Sequence, residues 1–330
     1  MEIQGILITA LAPFENHMAN GGEKLLGNAS SIKRRPDGKV YVSGQMQRHV
    51  LFSAIDRLNE SYNDKGTTFV SNGDGISNQI ENDLRADMGG FMHPSRGDYS
   101  GRRTAPLSAT PAVALDESQV GRDLLIRIQS NVKGEQVYSD GYIERDKKTE
   151  EEAADENQQK QALATKEFSQ QDIMYMNFFL DIGMLGLSKA FKYKGGFNLG
   201  KKYYKHVKES ERKRRVEIYL KATKMMNDYA NQARNAVSGE PQRVLIVFDT
   251  VLSRKASRYF IASDKERENI LEELKDRNAK YIIGDDTGEK SVHQAYKEAL
   301  EFLNKQDNSL YDPSKGSEPV SFADAFGKND

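Results

Sequence analysis

Between Ser31 and Arg48 the chain gathers Lys33, Arg34, Arg35, Lys39 and Arg48, five positive charges, around a single acid, Asp37. Cations at that density, just ahead of a segment with helical spacing, are suited to phosphate: side chains hold the anion while free N–H groups of a helix N-terminus point at it. Gln45 and Arg48 stand three apart and share one face of the first turn, where an amide and a guanidinium can hold successive phosphates or a ribose hydroxyl. Ser43 is placed to cap that turn and can donate as well. A second basic turn, Arg254-Lys255-Ala256-Ser257-Arg258, is expected to join two strands and to lie beside the same helix start, so that the two clusters line one groove. A third basic run, Lys189 to Arg215, sets eleven basic residues against Glu209 and Glu211, a local sum of +9. Each cluster also has a plainer reading, as a solvated hairpin before a capped helix or as a solvated helix face.

Other chemistries find little support. The 330 residues hold no cysteine, which removes disulfides, thiolate metal sites and cysteine nucleophiles, and no tryptophan, which removes a favoured sugar-stacking surface. His17, His49, His93, His206 and His293 are widely separated and match no ligand spacing, so neither metal nor cofactor is expected. Gly195-Gly196-Phe197-Asn198-Leu199-Gly200-Lys201-Lys202 has the spacing of a P-loop, but Lys202 stands where Ser or Thr would hold magnesium, and a flexible basic loop is the better reading. Asn72-Gly73-Asp74-Gly75 reads as a turn rather than a calcium loop.

The elements that must position the clusters are legible in part. With 48 Lys+Arg against 49 Asp+Glu, the net charge of -1 means that a polyanion can be met only by local clusters. Glu2 to Thr9 reads as a strand, followed by a break over Ala12 to His17. Pro36-Asp37-Gly38 turns a hairpin into Lys39-Val40-Tyr41-Val42, and Met46, Val50, Leu51, Ala54, Ile55 and Leu58 predict a helix near 44–62. Residues 64–122 lack long periodicity and read as an insertion. Leu124–Gln129 predicts a strand, Val137–Ile143 an arm, and 146–165 a mobile or projecting charged stretch. Ile173–Leu187 predicts a central strand, and a long helix follows from about Val207 to near Ala236. Val244–Phe248 and Tyr259–Ala262 predict strands, then come a helix near 264–279, a strand at 281–283 and a helix near 291–304. The order strand, helix, strand, strand, helix, strand predicts an α+β fold with a split βαβ sheet, the RRM-like ferredoxin topology, in one domain spanning 1–330. The absence of a run of about 18 apolar residues and of a basic leader predicts a cytoplasmic protein without membrane contact.

Tyr41-Val42-Ser43-Gly44-Gln45-Met46-Gln47-Arg48-His49-Val50-Leu51 resembles the backbone subunit of type I CRISPR Cascade complexes, in the DevR-type autoregulator branch of the RAMP proteins and similar to type I-B. Arg102-Arg103-Thr104-Ala105-Pro106-Leu107 through Leu115, Lys166 to Ser169 with Met174 to Leu187, and Ser238 to Arg258 resemble further segments of that family. The resemblance implies a modified RRM palm, a helical finger insertion (64–122) and a β-hairpin thumb (130–170), with copies stacking as a filament along one CRISPR RNA. It implies phosphate contact at Ser43, Gln45 and Arg48, and also at Lys33, Arg34, Arg35, Arg254 and Lys255. It further implies a non-catalytic role, with CRISPR RNA, target DNA through the guide, copies of itself and other Cascade subunits as partners. Whether the assembly recruits a nuclease or a transposition protein stays open. Sequence-blind gripping of a guide requires backbone contacts and shape, and a near-neutral protomer can stack on itself, so composition is consistent with this picture. The acidic insert Glu150-Glu151-Glu152 with Asp155-Glu156 departs from it. Two alternatives remain: a type III-like subunit that cuts target RNA through Asp37, and a self-assembling interaction protein without an RNA role. Pro-Asp-Gly is also what a tight turn demands.

Overall fold

The alternation Ile6, Ile8, Ala10, Ala12, Phe14 against Leu7 gives the first long strand two apolar faces, so it must lie inside a sheet covered on both sides. A computed structural model describes residues 1–24, 29–61, 79–93, 101–128, 161–233 and 235–326. The chain begins with β1 (Glu2–Ile3), β2 (Gly5–His17), β3 (Glu23–Lys24), β4 (Ala29–Ser31), β5 (Tyr41–Val42), α1 (Gly44–Glu60) and α2 (Leu84–Gly89). Strands β6 (Phe91–His93), β7 (Gly101–Arg103), β8 (Leu107–Ala109), β9 (Ala112–Ala114), β10 (Val120–Ile128) and β11 (Gln161–Asp181) follow. Next come β12 (Leu187–Lys194), β13 (Phe197–Lys205), α3 (Glu209–Lys224), β14 (Arg243–Asp249), α4 (Asp264–Asp276) and β15 (Lys280–Asp285). The last elements are α5 (Val292–Leu303), β16 (Ser309–Leu310) and α6 (Phe322–Phe326).

The main sheet runs β15-β14-β2-β11, with β8 and β9 on the far side of β11, and every one of these pairings is antiparallel. Taken as β2, α1, β8/β9, β11, α3, β14, the chain traces strand, helix, strand, strand, helix, strand in spatial order 4-1-3-2, the split βαβ order expected from the sequence, but its second strand comes from residues 107–114, inside the stretch read as an insertion, and not from 124–129. Strand β15 extends it beyond β14. Helices α1, α3 and α5 bury Val50, Leu51, Val216, Tyr219, Ala295 and Leu303 on one face of the sheet. A 3₁₀ turn at Lys255–Ile261 and α4 cover the other face with Ala256, Ile270 and Leu274 against Leu7, Phe179 and Leu245. No helix among the described residues is long and apolar enough to cross a membrane.

Several expectations are corrected. Strand β2 does not break at Ala12 but continues to His17, because Pro13 faces a side with no partner. Its opposite number Ile173 gives its carbonyl to Leu115, and β14 has already ended at the pair Arg243–Leu11. Residues 161–165, expected within the charged stretch, open β11 and pair with β10, and β11 ends at Asp181 rather than Leu187. Helix α3 ends at Lys224, not near Ala236. Met226 and Tyr229 repeat at helical spacing, but the backbone unwinds so that Tyr229 packs on Phe14 while Asn227 and Asp228 accept from Arg57 and Ser53 of α1. Tyr259–Ala262 forms no strand: Tyr259 to Ile261 belong to the 3₁₀ turn, Ala262 follows it, and β15 takes the edge of β14 instead. The Asn72 turn, the arm at 137–143 and the acidic insert lie outside the described residues.

Candidate nucleic-acid interface

Ser43 caps α1 as its position suggests: its hydroxyl accepts from the Met46 N–H at 3.2 Å, and its own N–H donates to Asn20 Oδ1 at 3.0 Å. No acid occupies the first turn. At Gly44 a Cβ would stand 3.2 Å from the Ala109 carbonyl, so glycine lets the helix start descend onto the β8–β9 connection. Gln45 is exposed at this end. Arg48 is committed inward: it donates to the Gly89 carbonyl at the end of α2 and lies 5.5 Å from the Phe52 ring, with Arg85 5.1 Å from the same ring. Burial, then the neighbouring Arg85, lowers its pKa. Arg48 therefore docks α2 onto α1.

At the hairpin tip the Gly38 N–H donates to the Arg35 carbonyl at 3.0 Å, and Gly38 takes φ 79°, closing the turn that Pro36-Asp37-Gly38 predicts. Asp37 Oδ1 accepts from the Lys39 N–H at 3.3 Å and lies 4.0 Å from Arg35 Nε, so its carboxylate serves the turn. Lys39 reaches back to the Leu115 carbonyl at 2.5 Å, and Lys33 is half-buried, which leaves Arg34 and Arg35 as the exposed cations of the tip.

The second cluster divides in the same way. Lys255 pairs with Glu273, whose carboxyl is held below its ordinary pKa first by that hydrogen bond. Arg254 lies exposed 4.5 Å over the Phe179 ring and donates to Ser108 Oγ at 3.3 Å. Ser108 pairs with Phe179 and Ala109 with Phe178, so the two residues point to opposite faces of β8. Arg254 and the α1 N-terminus thus stand on either side of this one strand, and the turn carrying Arg254 leads from β14 into α4 rather than joining two strands.

The basic run from Lys189 to Arg215 separates into two unlike parts. Its first half forms the antiparallel hairpin β12–β13, turned by Gly195 (φ 54°) and Gly196 (φ 82°), in place of a P-loop or flexible loop. These strands pair only with each other among the described residues. The register puts Lys189, Phe191, Tyr193, Lys201 and Tyr203 on one face, with Lys189 Nζ 5.0 Å from the Phe191 ring and Lys201 Nζ 5.7 Å from that of Tyr203. Phe191, Tyr193 and Phe197 are 52%, 65% and 76% exposed, an unusual cost for aromatic rings unless something covers them. At the root of the opposite face Tyr204 meets Phe326 of α6 edge-on at 5.3 Å. Alternation of Lys with Phe and Tyr across Gly-Gly is the sequence signal of this hairpin, hidden behind the P-loop spacing that overlaps it.

The second half of the run sends two of its charges inward. Arg212 and Arg215 are 0% exposed and hold the hairpin's root with Arg103 of β7 and Asp87 of α2. Arg212 donates to the carbonyls of Ile182 and Leu185, and Arg103 to those of Met184 and Leu187. Asp87 accepts from Gly186 N–H (2.9 Å), Arg103 Nη2 (2.7 Å) and Arg215 Nη1 (2.6 Å). Charges that a sequence presents as a solvated face thus lock the hairpin to α2 and α3. Among the described residues no three His, Asp or Glu converge as a metal-ligand set.

A family model described as "CRISPR-associated negative auto-regulator DevR/Csa2" matches residues 8–238. Among solved structures, the chain is similar to a "CRISPR RNA-guided surveillance complex" chain, with TM-score 0.50, 13% identity and coverage of 90% of this chain and 99% of that one. It is also similar to a chain of a "CRISPR RNA-guided surveillance complex, pre-nicking", with TM-score 0.51, 12% identity and coverage of 91% and 99%. No curated protein matches the chain.

Proposed function

The chain belongs to the CRISPR-associated DevR/Csa2 family, and from that premise we propose that it is a non-catalytic, CRISPR RNA-binding backbone subunit of a type I Cascade surveillance complex. Copies polymerise along the guide and present it for pairing with target DNA. The observation that carries this reading is the β12–β13 hairpin, with exposed aromatic rings interleaved with lysines, free of acids and rooted in a buried charge clamp. Lysines track a phosphate chain and ring faces stack on any base, so the surface grips single-stranded RNA without choosing a sequence. Specificity is then left to the guide's own base pairing. We assign the thumb of the family's architecture to this hairpin rather than to 130–170. Ser43, Gln45, Arg34, Arg35 and Arg254 supply exposed or capping donors on either side of the sheet edge. Lys33, Arg48 and Lys255 support that surface from partly engaged positions.

The test is co-expression with a CRISPR array transcript, followed by purification and sizing of the extracted nucleic acid. Discrete protected RNA of guide length supports the proposal, and its retention falls in the Phe191→Ala/Tyr193→Ala/Phe197→Ala triple variant, whose rings are exposed. Nucleic-acid-free protein, alone and beside its partner subunits, refutes it.

A further inference from the structure

On the helical side of the palm, α3 and α5 leave a groove of about 490 Å³ between them, lined by none of the residues discussed as RNA contacts. Met225, Tyr296 and Leu300 make its floor, and Met225 is 45% exposed at the point where α3 unwinds. An exposed methionine beside a leucine is an adaptable apolar contact surface. The rim carries the opposite character. Lys221 and Lys224 lie one turn apart on α3, and Lys297 faces them from α5. The one acid in the lining, Glu301, is drawn to Lys297 at 4.0 Å. Lys224 Nζ lies 2.9 Å from His293 Nδ1, an ammonium turned to a ring nitrogen where a carboxylate would serve it better.

The structure assigns this groove to an amphipathic acidic helix of a partner protein. An apolar strip along such a helix fills the floor, and its flanking carboxylates meet Lys224 and Lys297. The groove extends along α5 from His293 to Glu301, about 12 Å at 1.5 Å per residue, which is two turns of the bound helix. Charge complementarity selects this occupant over a basic helix, and the apolar floor selects it over a nucleic-acid backbone, which presents no apolar strip.

The inference is independent of RNA binding and is tested on the full chain by fluorescence anisotropy. The probe is a labelled synthetic helix of about four turns, with leucines at i, i+3, i+4 and i+7 and glutamates elsewhere. Its counterpart carries lysines in place of the glutamates. The acidic probe binds and the basic one does not, and Lys224→Glu and Leu300→Glu each weaken binding by about tenfold or more. Lys224→Ala, a conservative surface change with an unaltered melting temperature, weakens it by a smaller factor and guards against misfolding. Equal binding of both probes, or an unchanged affinity in Leu300→Glu, overturns the assignment. Displacement of the acidic probe by an oligouridine would instead make the groove a polyanion site. Self-association of the chain that Leu300→Glu abolishes would make it an interface between copies, and either result overturns the proposal.

Discussion

Replacing Asp87 by alanine tests whether the buried charges anchor the hairpin. Asp87 is 0% exposed and is shared by Arg103, Arg215 and the Gly186 N–H. Its removal leaves two guanidinium groups without that counter-charge in the interior, a change that costs about 3–5 kcal/mol. Arg215 keeps Glu211, whose Oε1 accepts from its Nε at 2.8 Å, so the lower end applies. With an unfolding entropy of about 2.1 cal/mol/K per residue over 330 residues, 1 kcal/mol shifts a two-state melting point by roughly 1.4 °C. The variant should therefore melt about 4–6 °C below the parent. Differential scanning calorimetry reads the shift, and amide exchange reads its location. Protection should fall first at Gly186 and its neighbours, ahead of Ile246 in β14. A drop smaller than about 1.5 °C, or exchange that rises uniformly, would show that the clamp does not anchor the hairpin.

Three further outcomes are expected. Phe191→Ala, Tyr193→Ala and Phe197→Ala together should change stability by only about 0.5 kcal/mol, because the rings are exposed. The same variant should lose about 1–3 kcal/mol of single-stranded RNA affinity for each stacked base, as read by filter binding. Glutamine at Lys189, Lys192, Lys194, Lys201 and Lys202 should flatten the slope of log affinity against log salt by about 0.7 for each phosphate that is no longer neutralised. An unchanged slope rules the hairpin out as a backbone grip. His206 donates from Nδ1 to the Val320 carbonyl at 2.9 Å while its Nε2 is buried without a partner, and burial holds its pKa below 6.5. The neutral ring is the folded form, so this stabilisation is complete above the unfolded pKa of about 6.5 and is lost as pH falls toward the lowered folded value. The melting point of the parent should drop more between about pH 7.5 and pH 5.5 than that of His206→Asn. Equal drops would remove His206 as the cause.

What could be read in advance was local. The Ser43 cap, the Pro36-Asp37-Gly38 turn, the apolar β14 and the capped α4 and α5 each carry their signal within a few residues, and each stands where the spacing put it. Misreadings arose where a distant partner decides. Met226 and Tyr229 keep helical spacing, yet Phe14 and α1 unwind them. Tyr259 and Phe260 have strand character, but the edge they would occupy is taken by β15. Arg212 and Arg215 show the same limit for the site: Glu209 and Glu211 pair with them inside the run, but the Asp87 carboxylate and the carbonyls that take them into the interior lie in α2 and at the hairpin root. The hairpin's aromatics were visible as letters, but only the register reveals that Phe191, Tyr193 and Tyr203 share a face.

The segment from Ser309 to Phe326 pairs with β1, donates from Val320 N–H to Lys205, and sets Phe322 and Phe326 beside His206 and Tyr204. During synthesis the hairpin leaves the ribosome well before this seat exists. At about 5–20 residues per second the interval is on the order of ten seconds. Through that time the lysine-rich strands are outside the ribosome with their buried charge clamp available but without the C-terminal seat beside Tyr204 and His206. The order of translation thus makes the C-terminal seat of the hairpin the last of its supports to arrive.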